Sequence, residues 1–344
     1  MSRRSLTLLI AAIGTAAAIA VSVLIPVPYV ILGPGPTLNT LGKDSSGQPL
    51  ISISGHAVHP TSGHLNLVTV SYSGGPGHNI NLFTALAGWL NPHEAVVPET
   101  ELFPAGQTAK QSQAQDTEEM TGSQQTATAA ALTELHIPYT TQVVVVQSEK
   151  GFPAYGTLKA GDVITAIDGT AVTSQASLIK AIHAHPAGTV LTVSIQRKGK
   201  SQQVNVATKE SGGSPVMGVE IEEQYKFPFT VTISVGDIGG PSAGMMFALG
   251  IIDKLTTENL TGGKFIAGTG EITASGQVQP IGGIQQKMVG ARDAGATVFL
   301  SPAANCSQAK PAVPAGLRLV KVSTLSQAVN DLEAIKAGRS VPGC

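Results

Sequence analysis

No histidine follows His185; all eight lie at or before it. A serine in the C-terminal third therefore has no later histidine to serve as base, which rules out the Ser…Asp…His order of α/β-hydrolases. Charge is scarce as well. Asp, Glu, Lys and Arg make up 12% of the chain, with a net charge of −1; the usual share is about twice that. The longest basic run, Arg197-Lys198-Gly199-Lys200, falls in an expected hairpin turn and offers no nucleic-acid surface. No G-x-x-x-x-G-K-[ST] loop occurs. Gly42-Lys43, Gly199-Lys200 and Gly263-Lys264 each lack the rest of that motif, which excludes a P-loop nucleotide motor. Cysteine is limited to Cys306 and Cys344, and neither has a histidine nearby in sequence to activate it. No internal repeat is evident.

One long apolar run is present. After Arg3 and Arg4, residues 6–25 carry no charge over twenty positions, and twenty helical residues span about 30 Å, the thickness of a bilayer core. The paired arginines before the run argue for a cytoplasmic N-terminus and an exported remainder. A cleaved signal peptide is the rival. Its small-residue sites, Ala16-Ala17-Ala18 and Ala18-Ile19-Ala20, fall inside the run rather than after it, which favours an uncleaved anchor. Export agrees with an even cysteine count: one disulfide between Cys306 and Cys344 would tie down the C-terminal tail. Two unrelated free thiols are the alternative.

Past the anchor, 50–53 and 65–72 alternate like strands between Gly and Pro punctuation. His56, His59 and His64 lie on a turn-rich segment without a matching acid or cysteine, so they read as solvated loop residues and not as metal ligands. Trp89, the only tryptophan, reads as a packing residue. Residues 104–136 are rich in Gln, Thr, Ser and Ala, with a helix expected over 123–135, and read as a connector and not a site. Beyond them come an expected strand at 143–147, a helix at 174–183 and a strand at 190–197.

Chemistry concentrates near Gly239-Gly240-Pro241-Ser242-Ala243-Gly244. Two glycines and a proline suit a tight corner into an apolar helix, expected over 243–252. A serine there meets unpaired N–H groups able to hold an oxyanion. The candidate base is Lys287. A short helix is expected over 284–294, closed by Gly295, and Lys287 shares its apolar stripe with Ile284, Met288, Ala291 and Ala294. Such a lysine either snorkels to water or is buried with a lowered pKa.

Three motifs carry family resemblances. The Gly-Pro-Ser-Ala-Gly motif, Thr-Gly-Glu-Ile-Thr at 269–273, and Pro-Ile-Gly-Gly at 280–283 followed by Lys287 closely resemble the proteolytic domain of Lon proteases. That resemblance implies a Ser242–Lys287 dyad, with Thr269 matching the family threonine that orients the lysine. One departure is visible: many ATP-dependent Lon enzymes carry Asp three residues before the serine, where this chain has Gly239. Asp237 is out of register and reads as a turn residue. Leu-Lys-Ala-Gly-Asp-Val-Ile-Thr-Ala-Ile-Asp-Gly at 158–169 resembles PDZ domains of exported bacterial proteases, which implies peptide binding by strand addition. The carboxylate-holding loop is then expected over 137–142, although Pro138-Tyr139-Thr140 lacks the usual glycine.

The expected fold is α+β and multidomain: a cytoplasmic tail at 1–5, a transmembrane anchor at 6–25, and a small β-rich region with the helical connector at 26–136. A PDZ domain follows at 137–209 and a Lon-type α/β proteolytic domain at 210–344. The whole order resembles bacterial membrane-anchored, PDZ-containing Lon-like serine proteases. The resemblance implies an ATP-independent endopeptidase acting on exported or membrane proteins. It also implies no cofactor, no nucleic-acid partner, polypeptide partners through the PDZ domain, and a homo-oligomer by analogy with Lon rings. The alternative is a PDZ adaptor carrying an inactive Lon-like domain.

Overall fold

The computed structural model describes residues 3–44 and 46–344. Met1 and Ser2, part of the expected cytoplasmic tail, lie outside the described residues. The apolar run forms helix α1 (Arg3–Leu24), which is long and apolar enough to cross a membrane, and none of its residues is buried.

The chain then divides into two compact units: 1–137 with 229–344, and 138–228. In the first, strands β1 (Tyr29–Asn39) and β2 (His64–Ser73), helix α2 (Leu82–Leu90), strand β3 (Ala95–Pro98) and helix α3 (Ala109–Glu134) come before the insertion. In the second unit lie strands β4 (Thr140–Ser148) and β5 (Val163–Ile167), helix α4 (Gln175–His183), and strands β6 (Val190–Arg197), β7 (Lys200–Ala207) and β8 (Val219–Lys226). The first unit resumes with helix α5 (Gly244–Leu255), strand β9 (Phe265–Gly268), helix α6 (Ile284–Asp293), strands β10 (Val298–Pro302) and β11 (Arg318–Val322), and helix α7 (Leu325–Lys336).

The first unit is built on one six-stranded sheet in the order β11-β10-β9-β2-β1-β3. Strands β9, β10 and β11 are parallel, and β2 joins them in parallel register, His64 opposite Phe265 and Leu67 opposite Gly268. Strands inside such a sheet are covered on both faces and need apolar residues at consecutive positions. All five residues of β10 are accordingly buried, and so is the run Leu65 to Val68 of β2. This pairing corrects the expected division at residue 136: the β-rich region at 26–136 is half of the sheet whose other half follows residue 228. Helix α5 is buried along nearly its whole length, as an apolar helix without a polar face must be. It begins at Gly244, one residue later than expected, and runs three residues further. A disulfide joins Cys306 to Cys344 across 38 residues; a loop of that length is worth up to about 4 kcal/mol in the chain-entropy account.

The second unit is a five-strand path, β7-β6-β5-β4-β8, closed over Val143, Ile164, Leu178, Leu191 and Ile195. Strand β8 pairs antiparallel with β4, so this unit runs to Pro228, beyond the end expected at 209. Asp162, 1% exposed, accepts from the Arg197 guanidinium at 2.6 and 2.7 Å. Burial pushes its carboxyl up, but the Arg197 hydrogen bonds, the Lys159 backbone N–H and the charges of Arg197 and Lys159 together outweigh that and hold it below the usual carboxylate value. Arg197→Ala would strand that carboxylate in the interior, at an expected cost of about 3–5 kcal/mol. Urea unfolding followed by circular dichroism checks this; a loss below about 1 kcal/mol would show that Asp162 finds another partner.

Candidate active site

Three elements of the first unit converge on Ser242. The serine stands in the turn before α5 and is half-buried. Its carbonyl accepts from Gly270 N–H at 2.8 Å and from the Thr269 hydroxyl at 2.9 Å. Thr269, wholly buried just past the end of β9, also takes a backbone bond to Leu300 O at 3.2 Å. The end of the central strand thereby clamps the serine turn.

Lys287 arrives from α6. That helix opens on Gly283 with φ 67°, a left-handed conformation that favours glycine. A Cβ there would also lie 2.6 Å from Val70 Cγ2, so position 283 excludes side chains twice over and α6 can press onto β2. Ile284, Met288 and Ala291 are buried with Lys287. Ala294, expected on the same stripe, is an exposed C-cap residue, because the helix ends there and Ala296 takes the buried place. Lys287 is 4% exposed. Its Nζ donates to Ser242 Oγ at 2.9 Å and to Thr269 Oγ1 at 3.3 Å. Burial lowers its pKa from 10.5 to about 8. The geometry thus brings Ser242, Lys287 and Thr269 into hydrogen-bonding reach of one another.

A cavity of about 430 Å³ opens beside this trio, walled by Leu32, Val68, Val70, Leu102 and Met120. Asp116 and Asp237 add carboxylates to this wall, and Asp116 comes from α3, the segment expected to be only a connector. Helix α3 extends well upstream of the expected 123–135, from a Thr108–Gln111 capping box onward. It packs against α5 and buries Ala127, Ala130 and Ala131, and Ser123 Oγ donates to Pro241 O at 2.9 Å. Asp116 of α3 accepts Gly240 N–H on its backbone carbonyl at 3.0 Å, and its side chain joins the cavity wall. Burial, then the Glu119 charge, pushes its carboxyl up. A Cβ on Gly239 would lie 2.5 Å from Asp116 Cβ, so the packing of α3 leaves no room for a side chain at position 239. Gly239→Ala is expected to displace α3 from the cavity wall and cost about 1–3 kcal/mol; Gly239→Ala combined with Asp116→Gly should recover the loss in thermal unfolding. Asp237 lies in an exposed turn at the rim of the same cavity. No group of three or more His, Cys, Asp or Glu able to hold a metal occurs among the described residues.

The second unit has its own cavity, of about 660 Å³, between α4 and β8, with Leu178, Ile182, Met217 and Ile221 in its walls. Strand β8 is the edge of its sheet. The turn leading into that edge is Val216-Met217-Gly218, with Gly218 at φ 77°, and not residues 137–142. The expected position failed because β4 is an inner strand, flanked by β5 and β8, and has no free edge to offer.

Two family models match parts of the chain. Residues 218–334 match the model of the Lon protease (S16) C-terminal proteolytic domain, and residues 114–208 match that of the PDZ domain. The chain carries a Lon-type proteolytic domain and a PDZ domain. The Lon protease of Syntrophomonas wolfei is 32% identical over 136 residues, covering 37% of this chain and 16% of that protein. Lon protease 1 of Bacillus subtilis is 34% identical over 91 residues, covering 26% and 12%. The chain therefore spans a small part of the length of these relatives. Among solved structures, the PDZ domain of an SdrC-like protein from Listeria innocua is 28% identical, covering 23% of this chain and 92% of that one, with a TM-score of 0.22. The Lon-type match begins at residue 218, so it takes in β8, which the backbone hydrogen bonds assign to the sheet of the PDZ unit.

Proposed function

We propose that this chain is a membrane-anchored, ATP-independent serine endopeptidase that cuts exported or membrane polypeptides with a Ser242–Lys287 dyad. The observation that carries the reading is a buried lysine, its pKa lowered to about 8, aimed at a serine hydroxyl 2.9 Å away. In its neutral form Lys287 takes the proton of Ser242 as Oγ attacks the peptide carbonyl carbon, then gives it to the leaving amine. The Thr269 hydroxyl hydrogen is committed to the Ser242 carbonyl, so Thr269 offers Lys287 only a lone pair. The lysine N–H points there and its own lone pair faces Ser242. Among the described residues, the N–H groups of Ser242 and Ala243 have no hydrogen-bond partner, which leaves them for the oxyanion. Water then hydrolyses the acyl-serine with Lys287 as base again.

The PDZ unit holds substrate chain ends, by adding a strand to the edge of β8 with Gly218 at the carboxylate end and an apolar residue against Leu178 and Ile182. Helix α1 anchors the chain with both units outside. N-terminal proteomics of membranes bearing the wild-type chain or Ser242→Ala tests the reading. Chain ends that vanish in the variant identify substrates; identical sets of chain ends would contradict it.

A further inference from the structure

We propose that α2 is a second membrane element, lying beside α1 with Phe83, Leu86, Trp89 and Leu90 turned into the leaflet on the ectodomain side. This rests on the reading of α1 as a membrane span. The four side chains are exposed by 46, 43, 57 and 86%, and Ala87 beside them is exposed too. Spacings of 3, 4 and 7 put Phe83, Leu86, Ala87 and Leu90 on one face, with Trp89 at its flank. Monomeric proteins in water rarely leave so contiguous an apolar surface. Trp89, read from the sequence as a packing residue, meets the Tyr29 ring edge-to-face at 5.9 Å between centroids and is otherwise largely exposed.

The opposite face is fixed to the protein. Ala85 and Gly88 are buried, and a Cβ on Gly88 would lie 3.0 Å from Val96 and 3.2 Å from Ile31. Helix α2 is therefore seated on β1 and β3, and its outward face is a built surface of the fold.

Its position relative to α1 names the occupant. Leu82, Phe83, Leu86 and Leu90 share an apolar crevice with Thr15, Ala18, Ile19 and Ser22 of α1. At 1.5 Å per residue these lie about 3 to 14 Å before the end of α1 at Leu24, whereas half a hydrocarbon core is about 15 Å. An α1 that spans the bilayer carries α2 below the headgroups with it. The sequence largely permits this: residues 45–93 contain no Asp, Glu, Lys or Arg, and the carboxylate nearest α2, that of Glu94, lies 3.3 Å from where a Cβ on Gly88 would be, on the face of α2 turned toward the protein. The lipid-facing surface of α2 is then continuous with that of α1. Strand β1 leads from this level to Leu32 and Pro36 in the wall of the Ser242 cavity, about 10 to 25 Å along the strand from Tyr29.

Trp89 is the only tryptophan, so the unmodified full chain reports on itself. The chain is reconstituted in phosphatidylcholine–phosphatidylglycerol vesicles, with and without acyl-chain-brominated lipid. The expected result is blue-shifted emission that falls by about half or more with brominated lipid and resists aqueous iodide. Quenching by iodide and not by bromine would overturn the proposal, as would resistance to both, which would mean a second copy of the chain covers α2. Vesicle flotation with mass spectrometry of the N-terminus separates the two layers. A chain that fails to float, or has lost α1, refutes the anchor; an intact floating chain with Trp89 unquenched by bromine refutes only α2.

Discussion

Lys287→Met is expected to abolish proteolysis while making the protein more stable at neutral pH. Lys287 is 4% exposed, and its pKa falls from 10.5 to about 8 because burial disfavours the charged amine. A fall of 2.5 units corresponds to about 3 kcal/mol, and below pH 8 the fold bears that whole cost. Methionine fills a similar volume with no charge to desolvate. Lost hydrogen bonds to Ser242 and Thr269 offset part of the gain, leaving an expected increase of about 1–2 kcal/mol in urea unfolding at pH 7. Catalysis goes the other way. Lys287→Met and Ser242→Ala should each lower kcat/KM by about 10⁴-fold or more, and the double variant should be no worse than either single one, because the pair acts as a unit. Lys287→Met retaining more than about a tenth of the activity would mean another group is the base.

The same buried amine sets the pH dependence. Only neutral Lys287 accepts the serine proton, so kcat/KM should rise about tenfold per pH unit up to a midpoint of about 8 and then level off. Stability should follow a displaced curve. Between about pH 8 and 10.5 the unfolded chain holds a proton on this lysine that the folded chain has released. Unfolding free energy therefore rises with pH across that window and gains nothing from this group below it. In Lys287→Met that rise should vanish. A flat activity profile from pH 6 to 9 would exclude a lysine titrating near 8.

Why some of this was legible in the sequence and some was not is a matter of contact range. Helix α1 and strand β6 are local patterns, an uncharged run and a β alternation, and each declares itself. Lys287 was legible because a single helix face carries it among Ile284, Met288 and Ala291, with Gly283 and Gly295 marking the helix ends. Asp116 was not. Its neighbour Gly239 is 123 positions away, and a Gln- and Thr-rich helix shows no apolar stripe to betray packing; apart from Met120 and Leu132, α3 buries Ala, Ser and Thr. Residues 26–136 read as a separate region because strand pairing across the inserted unit, β2 to β9, leaves no trace in spacing. Strand β8 alternates half-buried and exposed positions along its length, a pattern that does not say which sheet it joins. The exposure of Trp89 was hidden for the opposite reason. Apolar residues are usually inside, and on α2 they face outward.

The most direct test is to catch the covalent intermediate. The purified full chain turning over a peptide ester is quenched in acid, digested, and its acyl group mapped by mass spectrometry. The account predicts acylation of Ser242 in the wild type, and none in Ser242→Ala or Lys287→Met. Peptide cleavage with no acyl group on Ser242, or with one on another residue, would contradict it.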